Sequence, residues 1–126
     1  MYAKDGDLKL KKALDEAIYP DVKTYQGQLP DLKKSPREFC VYSVRSMSSQ
    51  TYEDNRLVAG QDSILLRYYH AKGMRLAKVR ERERVIMEAL LNAEFTCPSG
   101  AFELGDIDDI GYNTTGFELN LFSWGG

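Results

Sequence analysis

The sequence has little of what most enzymatic and metal chemistry needs. There is one histidine, His70, and there are two cysteines, Cys40 and Cys97, and one tryptophan among 126 residues. A single histidine excludes multi-histidine metal centres. The cysteines stand far apart with no His or Cys beside them, so neither a CxxC redox motif nor a zinc site can be written; two reduced, mostly buried thiols are expected. No run approaches the ~20 apolar residues of a membrane span. The opening MYAKDG is polar, unlike a secretory signal. Seventeen Lys plus Arg against nineteen Asp plus Glu give a net charge of -2, which leaves no global electrostatic case for wrapping nucleic acid. Walker, Rossmann and GxSxG motifs are missing too. The expectation is therefore no catalytic residue, no metal ligand, no cofactor, no membrane and no specific nucleic-acid binding.

What is present is the balance of a globular chain, 43% hydrophobic and 29% charged, at the length of one domain, residues 1–126. Asp7 can cap a first helix in which Leu10, Ala13, Leu14, Ala17 and Ile18 form one stripe, ended by Pro20. Residues 22–26 read as a short strand, and Gly27, Pro30, Lys33, Lys34 and Pro36 mark an exposed loop. Residues 39–47 and 61–71, rich in β-branched and aromatic types, should pair antiparallel. Between them, 48–60 is polar and longer than a tight hairpin needs, which suggests a contact arm. A second helix over 74–93 places Leu76, Val79, Ile86, Met87, Leu90 and Leu91 on one face. Residues 94–98 form a short strand, followed by a loop bearing Glu103, Asp106, Asp108 and Asp109. A last strand at 116–123 turns Phe117, Leu119 and Leu121 to one side and Glu118, Asn120, Phe122 and Trp124 to the other. The order α-β-β-β-α-β-β predicts an α+β fold, two helices packed on a mainly antiparallel sheet.

Asp106, Asp108, Asp109 and Gly111 imitate a calcium loop, but Ile110 occupies the fifth position and Phe117 the twelfth, so a solvated acidic loop is the better reading. Arg75, Lys78 and Arg82 flank the second helix opposite Glu81, Arg84 and Glu88, a mixed surface with only Tyr68 and Tyr69 nearby to stack on bases. Glu83 falls inside the apolar stripe and must snorkel, pair with Arg80 one turn back, or reach a partner, because an unpaired buried charge costs several kcal/mol. His70 follows Ile64, Leu66 and Tyr68 on one strand face, where a hydrogen-bonded edge histidine is expected. A small enzyme or ligand-binding domain with a cleft near His70 is the alternative.

Taken together, an opening helix, Pro20-Asp21-Val22-Lys23-Thr24-Tyr25, a strand Phe39-Cys40-Val41-Tyr42, a strand Ile64-Leu65-Leu66-Arg67-Tyr68-Tyr69, a helix through residues 84–93 and the closing run from Ile110 to Phe122 resemble the tail terminator and head-tail joining proteins of long-tailed phages and prophages. The resemblance spans nearly the whole chain. It implies a structural virion protein with no catalytic residue, made in the host cytoplasm. It implies a homo-oligomeric, often hexameric ring that caps the tail tube, halts its polymerisation and meets both the tail tube protein and the head-completion protein. Within that picture Tyr52, Glu53, Asp54, Arg56, Phe122 and Trp124 are the candidate interface. Glu103, Asp106, Asp108 and Asp109 are candidates for the ring lumen, where carboxylates would repel passing DNA phosphates.

Overall fold

A computed structural model describes the backbone of residues 6–46, 51–53 and 56–123 and the side chains of 7–44 and 63–120. Helix α1 (Gly6–Ile18) leads into strands β1 (Lys23–Gln26), β2 (Glu38–Ser46), β3 (Thr51–Glu53) and β4 (Arg56–Ala71). Helix α2 (Leu76–Asn92) and strands β5 (Ala101–Gly105) and β6 (Tyr112–Ser123) follow. The strands form a six-stranded sheet in the order β1-β2-β4-β6-β5, with β3 paired to β4. All pairings are antiparallel except β1 with β2, whose parallel register Lys23↔Phe39 to Gln26↔Tyr42 needs the crossover made by residues 27–37. The fold is α+β with a mainly antiparallel sheet, in the expected order.

Strand alternation divides the core. Cys40 and Tyr42 of β2, Ile64, Leu66 and Tyr68 of β4, and Phe117 and Leu119 of β6 meet both helices, through Leu10, Leu14 and Ile18 of α1 and Val79, Ile86 and Leu90 of α2. Each such side chain contributes about 1.5–3 kcal/mol by leaving water. The opposite face carries a smaller aromatic cluster, Phe39, Val41, Tyr69 and Tyr112, covered by Tyr25, Leu32 and Ile110. There Phe39 stacks on Tyr69 with ring centroids 4.7 Å apart, and the Tyr112 hydroxyl donates to the Pro36 carbonyl at 2.5 Å, pinning the 27–37 crossover to the sheet.

Several expectations are corrected. Asp7 lies inside the first turn of α1 and does not cap it from outside; its carboxylate still favours the positive end of the helix dipole. Leu76 and Leu91 are 64% and 54% exposed, because the buried line of α2 runs Val79, Glu83, Ile86, Leu90, and residue 91 sits about 100° round the helix from residue 90. Residues 94–98 give only an isolated bridge, Thr96↔Asn120, and the strand lies one turn later at Ala101–Gly105. Strand β6 starts at Tyr112, four residues before 116. The polar 48–60 stretch is not one long loop: Thr51–Glu53 and Arg56 onward form a β-hairpin, and β4 runs on unbroken into the sheet.

Two local devices fix the ends of these elements. Helix α2 closes with Glu94 at φ 71, its N–H bonded to the Leu91 carbonyl and that of Phe95 to the Leu90 carbonyl, a Schellman motif with Phe95 buried beside Leu90. In β6, a Cβ on Gly116 would come within 2.7 Å of the Phe102 ring, so glycine lets β5 and its phenylalanine lie flat on β6.

Candidate interaction site

At one end of the molecule the contact between α2 and the sheet turns polar. Glu38, the first residue of β2, accepts from Tyr68 Oη at 2.6 Å, from Arg82 Nε at 2.9 Å and from Arg82 Nη2 at 3.3 Å. Burial, and then the hydrogen bond to Glu38, push the Tyr68 hydroxyl well above its usual range. Burial works against the Arg82 charge, but Glu38 outweighs it and holds the guanidinium above its ordinary value.

A second group sits one strand over. Glu83 is buried, as its place in the apolar stripe requires, and it is paired: Arg80 Nη1 donates to Oε1 at 2.9 Å and Thr115 Oγ1 to Oε2 at 2.6 Å. Arg80 also reaches Glu103 on β5 at 3.0 Å. His70 Nε2 lies 3.4 Å from Thr115 Oγ1, whose single proton is committed to Glu83, so the imidazole meets that oxygen with Nε2–H. Burial lowers the His70 pKa from its ordinary value, and Glu83 pulls the other way. His70 is on β4 between β2 and β6, not at a sheet edge, and its ring packs on Tyr68 at 5.1 Å.

Beside the Glu38–Arg82 pair opens a groove of about 920 Å³ between α2, strand β1 and the 27–37 crossover. Its apolar lining comes from Met74, Ala77 and Val85, and around it stand Lys23, Lys34, Arg37 and Lys78. Glu38 is satisfied by Arg82, and Glu81 is paired with Arg84. Asp31 accepts from the Lys33 N–H at 3.0 Å. The four rim cations make no ion pair among the described residues, and only Asp21 and Asp31 offset them. His70 does not line this groove, so the expected cleft lies against Glu38 and Arg82 instead. Tyr68 and Tyr69 are fully buried and unavailable to bases.

The acidic loop is fastened by its own side chains. Asp106 Oδ1 accepts the Ile110 N–H at 3.0 Å, Oδ2 accepts the Gly111 N–H at 2.9 Å, and Lys72 Nζ stands 3.2 Å away. These partners hold the Asp106 carboxyl below its usual range, the Ile110 amide foremost. Asp108 accepts from Tyr69 Oη at 2.5 Å, with Arg67 at 3.9 Å. Glu103 and Asp109 are exposed, the latter at φ 53, and Ile107 between them is 48% exposed. No three His, Cys, Asp or Glu side chains converge as a metal site among the described residues. Cys40 is buried and Cys97 partly so; neither is in a disulfide, and burial raises both thiol pKa values.

Of the other expected interface residues, Tyr52, Glu53 and Arg56 lie in the β3–β4 hairpin and Phe122 near the end of β6; Asp54 and Trp124 lie outside the described residues. The Glu38, Tyr68 and Arg82 triad was not anticipated. Glu38 merely precedes an apolar strand, and only the pairing Glu38↔His70 with α2 above it brings Arg82 within reach. The groove was equally hidden, because its rim is assembled from four separate segments.

The described residues thus form an α+β fold with one helix-covered sheet face, β1 and β5 at the ends of the strand order and a β3–β4 hairpin. No family model and no curated protein matches the sequence. Among solved structures it is similar to the sheath/tube terminator of an extracellular contractile injection system, PVC, in its extended state, at 14% identity with a TM-score of 0.36. That match covers 100% of this chain and 58% of the other, so the chain spans little more than half the length of that protein. Among the described residues no helix is long and apolar enough to cross a membrane.

Proposed function

We propose that the chain is a ring-forming structural subunit of a phage tail, placed at the head-proximal end of the tail tube, where it ends tube polymerisation and joins the tail to the head-completion protein. The sequence resemblance suggests this role. The observation that supports it most is the β3–β4 hairpin: among the described residues β4 pairs with β3 over Arg56 to Ala59, with β6 from Gly60↔Ser123 and with β2 from Ser46↔Ser63. A β-hairpin is a natural arm for a neighbouring subunit, and unlike sheet edges favour head-to-tail contacts that close into rings. On this reading the subunit has no catalytic role, the ring is hexameric and DNA passes through it. Deleting the coding region from the phage or prophage that encodes the chain should give tubes of unregulated length that fail to join heads. Normal, infectious particles after the deletion would refute the reading.

A further inference from the structure

The two edges of the sheet differ in charge at the same end of the molecule. The register Lys23↔Phe39, Phe39↔Tyr69, Tyr69↔Thr114 and Gly105↔Thr114 draws one line across all five main strands. At the β1 end of that line lies the groove, with its apolar floor and with Lys23, Lys34, Arg37 and Lys78, which make no ion pair among the described residues. At the β5 end begins the loop in which exposed Ile107 is flanked by Asp106, Asp108 and Asp109. Four strand spacings of about 4.8 Å put the two edges roughly 19 Å apart, and both ends of the loop are tied into β5 and β6, so it cannot fold back into its own groove.

We propose that the groove receives the 106–110 loop of a second copy of this chain, Ile107 seating on the apolar floor and Asp109 facing the rim cations. The proposal rests on the ring reading above and names the surfaces that would form its seam. It assigns the acidic loop to the contact between copies and not to the wall of the opening. Three observations favour this occupant. The charges are complementary, cationic rim against Asp109, the loop carboxylate that neither Lys72 nor Arg67 engages, and such complementarity steers association and fixes register. An isolated apolar tip between carboxylates matches an apolar floor inside a cationic rim. The loop is also already rigid, fastened by Asp106 to the Ile110 and Gly111 amides and by Asp108 to Tyr69, so docking orders little that was free. Because groove and loop are different surfaces, the contact is heterologous and each copy offers one of each, the arrangement that closes into a ring when the rotation closes.

The test uses purified full-length protein, a carbodiimide that joins Lys to carboxylate directly, and two variants. One reverses the rim (Lys34→Glu with Arg37→Glu) and the other the loop (Asp109→Lys); circular dichroism and melting temperature verify that both fold. The wild type should give intermolecular links from Asp109 to Lys23, Lys34 or Lys78. Each variant alone should self-associate at least tenfold more weakly, and the equimolar mixture should recover association, since reversed rim meets reversed loop. Variants that associate as the wild type does, or a mixture no better than its components, would overturn the proposal. Links mapping to the β3–β4 hairpin alone would overturn it while leaving the ring reading standing. A wild type monomeric at every concentration and missing from particles would overturn both.

Discussion

Thr115 on β6 donates its hydroxyl proton to Glu83 on α2 at 2.6 Å, inside the contact between helix and sheet. Together with the Arg80 ion pair, this bond explains how a carboxylate is tolerated in the apolar stripe of α2. Thr115→Val would leave Glu83 Oε2 buried without its donor and should cost about 1–3 kcal/mol. Adding Glu83→Leu to the same chain removes the stranded charge and should return much of that loss. Urea unfolding of the two single variants and the double variant measures the coupling. Strictly additive effects would contradict the role given to the pair.

The pH dependence of stability should carry a contribution from His70. Its folded pKa is depressed by burial below the ordinary 6.5, so the unfolded chain binds the proton more readily. Stability is therefore lost as pH falls below about 6.5 toward the folded value, and regained above it. Melting temperatures between pH 5 and 7.5 should show a shallower acid-side decline for His70→Gln than for the wild type.

Glu94 occupies the left-handed position that follows α2, at φ 71, where a side chain costs roughly 1 kcal/mol relative to glycine. Its ion pair with Lys9 is 3.6 Å long and exposed, and offsets little. Glu94→Gly should raise the melting temperature by about 3–5 °C for a chain of this size.

The loop that follows β5 depends on Asp106. Asp106→Ala removes the acceptor for both the Ile110 and Gly111 amides, and hydrogen exchange at those two positions should speed up while the β4 and β6 amides keep their protection. Because the carboxyl is held below its usual range, this support is present above the ordinary carboxylate pKa and fades as pH falls through the lowered one.

Much of this architecture could be read from periodicity. The α1 line Leu10, Leu14, Ile18, the paired strands through Cys40 to Tyr42 and Ile64 to Tyr69, and the α2 core of Val79, Ile86 and Leu90 all follow from apolar spacing. Elements whose stability comes from tertiary partners could not be read that way. β5 is a short edge strand of alternating exposed and half-buried residues, and it exists because Gly116 lets Phe102 approach β6. The start of β6 is written in Asn113, Thr114 and Thr115, polar residues with no apolar alternation to announce a strand, of which Thr115 is buried against Glu83 and His70. The Glu83–Arg80 pairing was legible from helical spacing, whereas Glu38 with Arg82 joins residues 44 positions apart. The acidic residues were visible as a group, but the sequence did not distinguish Asp106, turned into its own loop, from Asp109, left exposed.

Cryo-electron microscopy of intact particles from the phage or prophage that encodes this chain would show whether it is, as proposed, a ring subunit at the head-proximal end of the tail tube. Density for the α+β subunit should repeat around the tube axis at the head-proximal end, six copies to the ring. Complete particles with no copy of this chain, or copies found only away from the tube end, would contradict it.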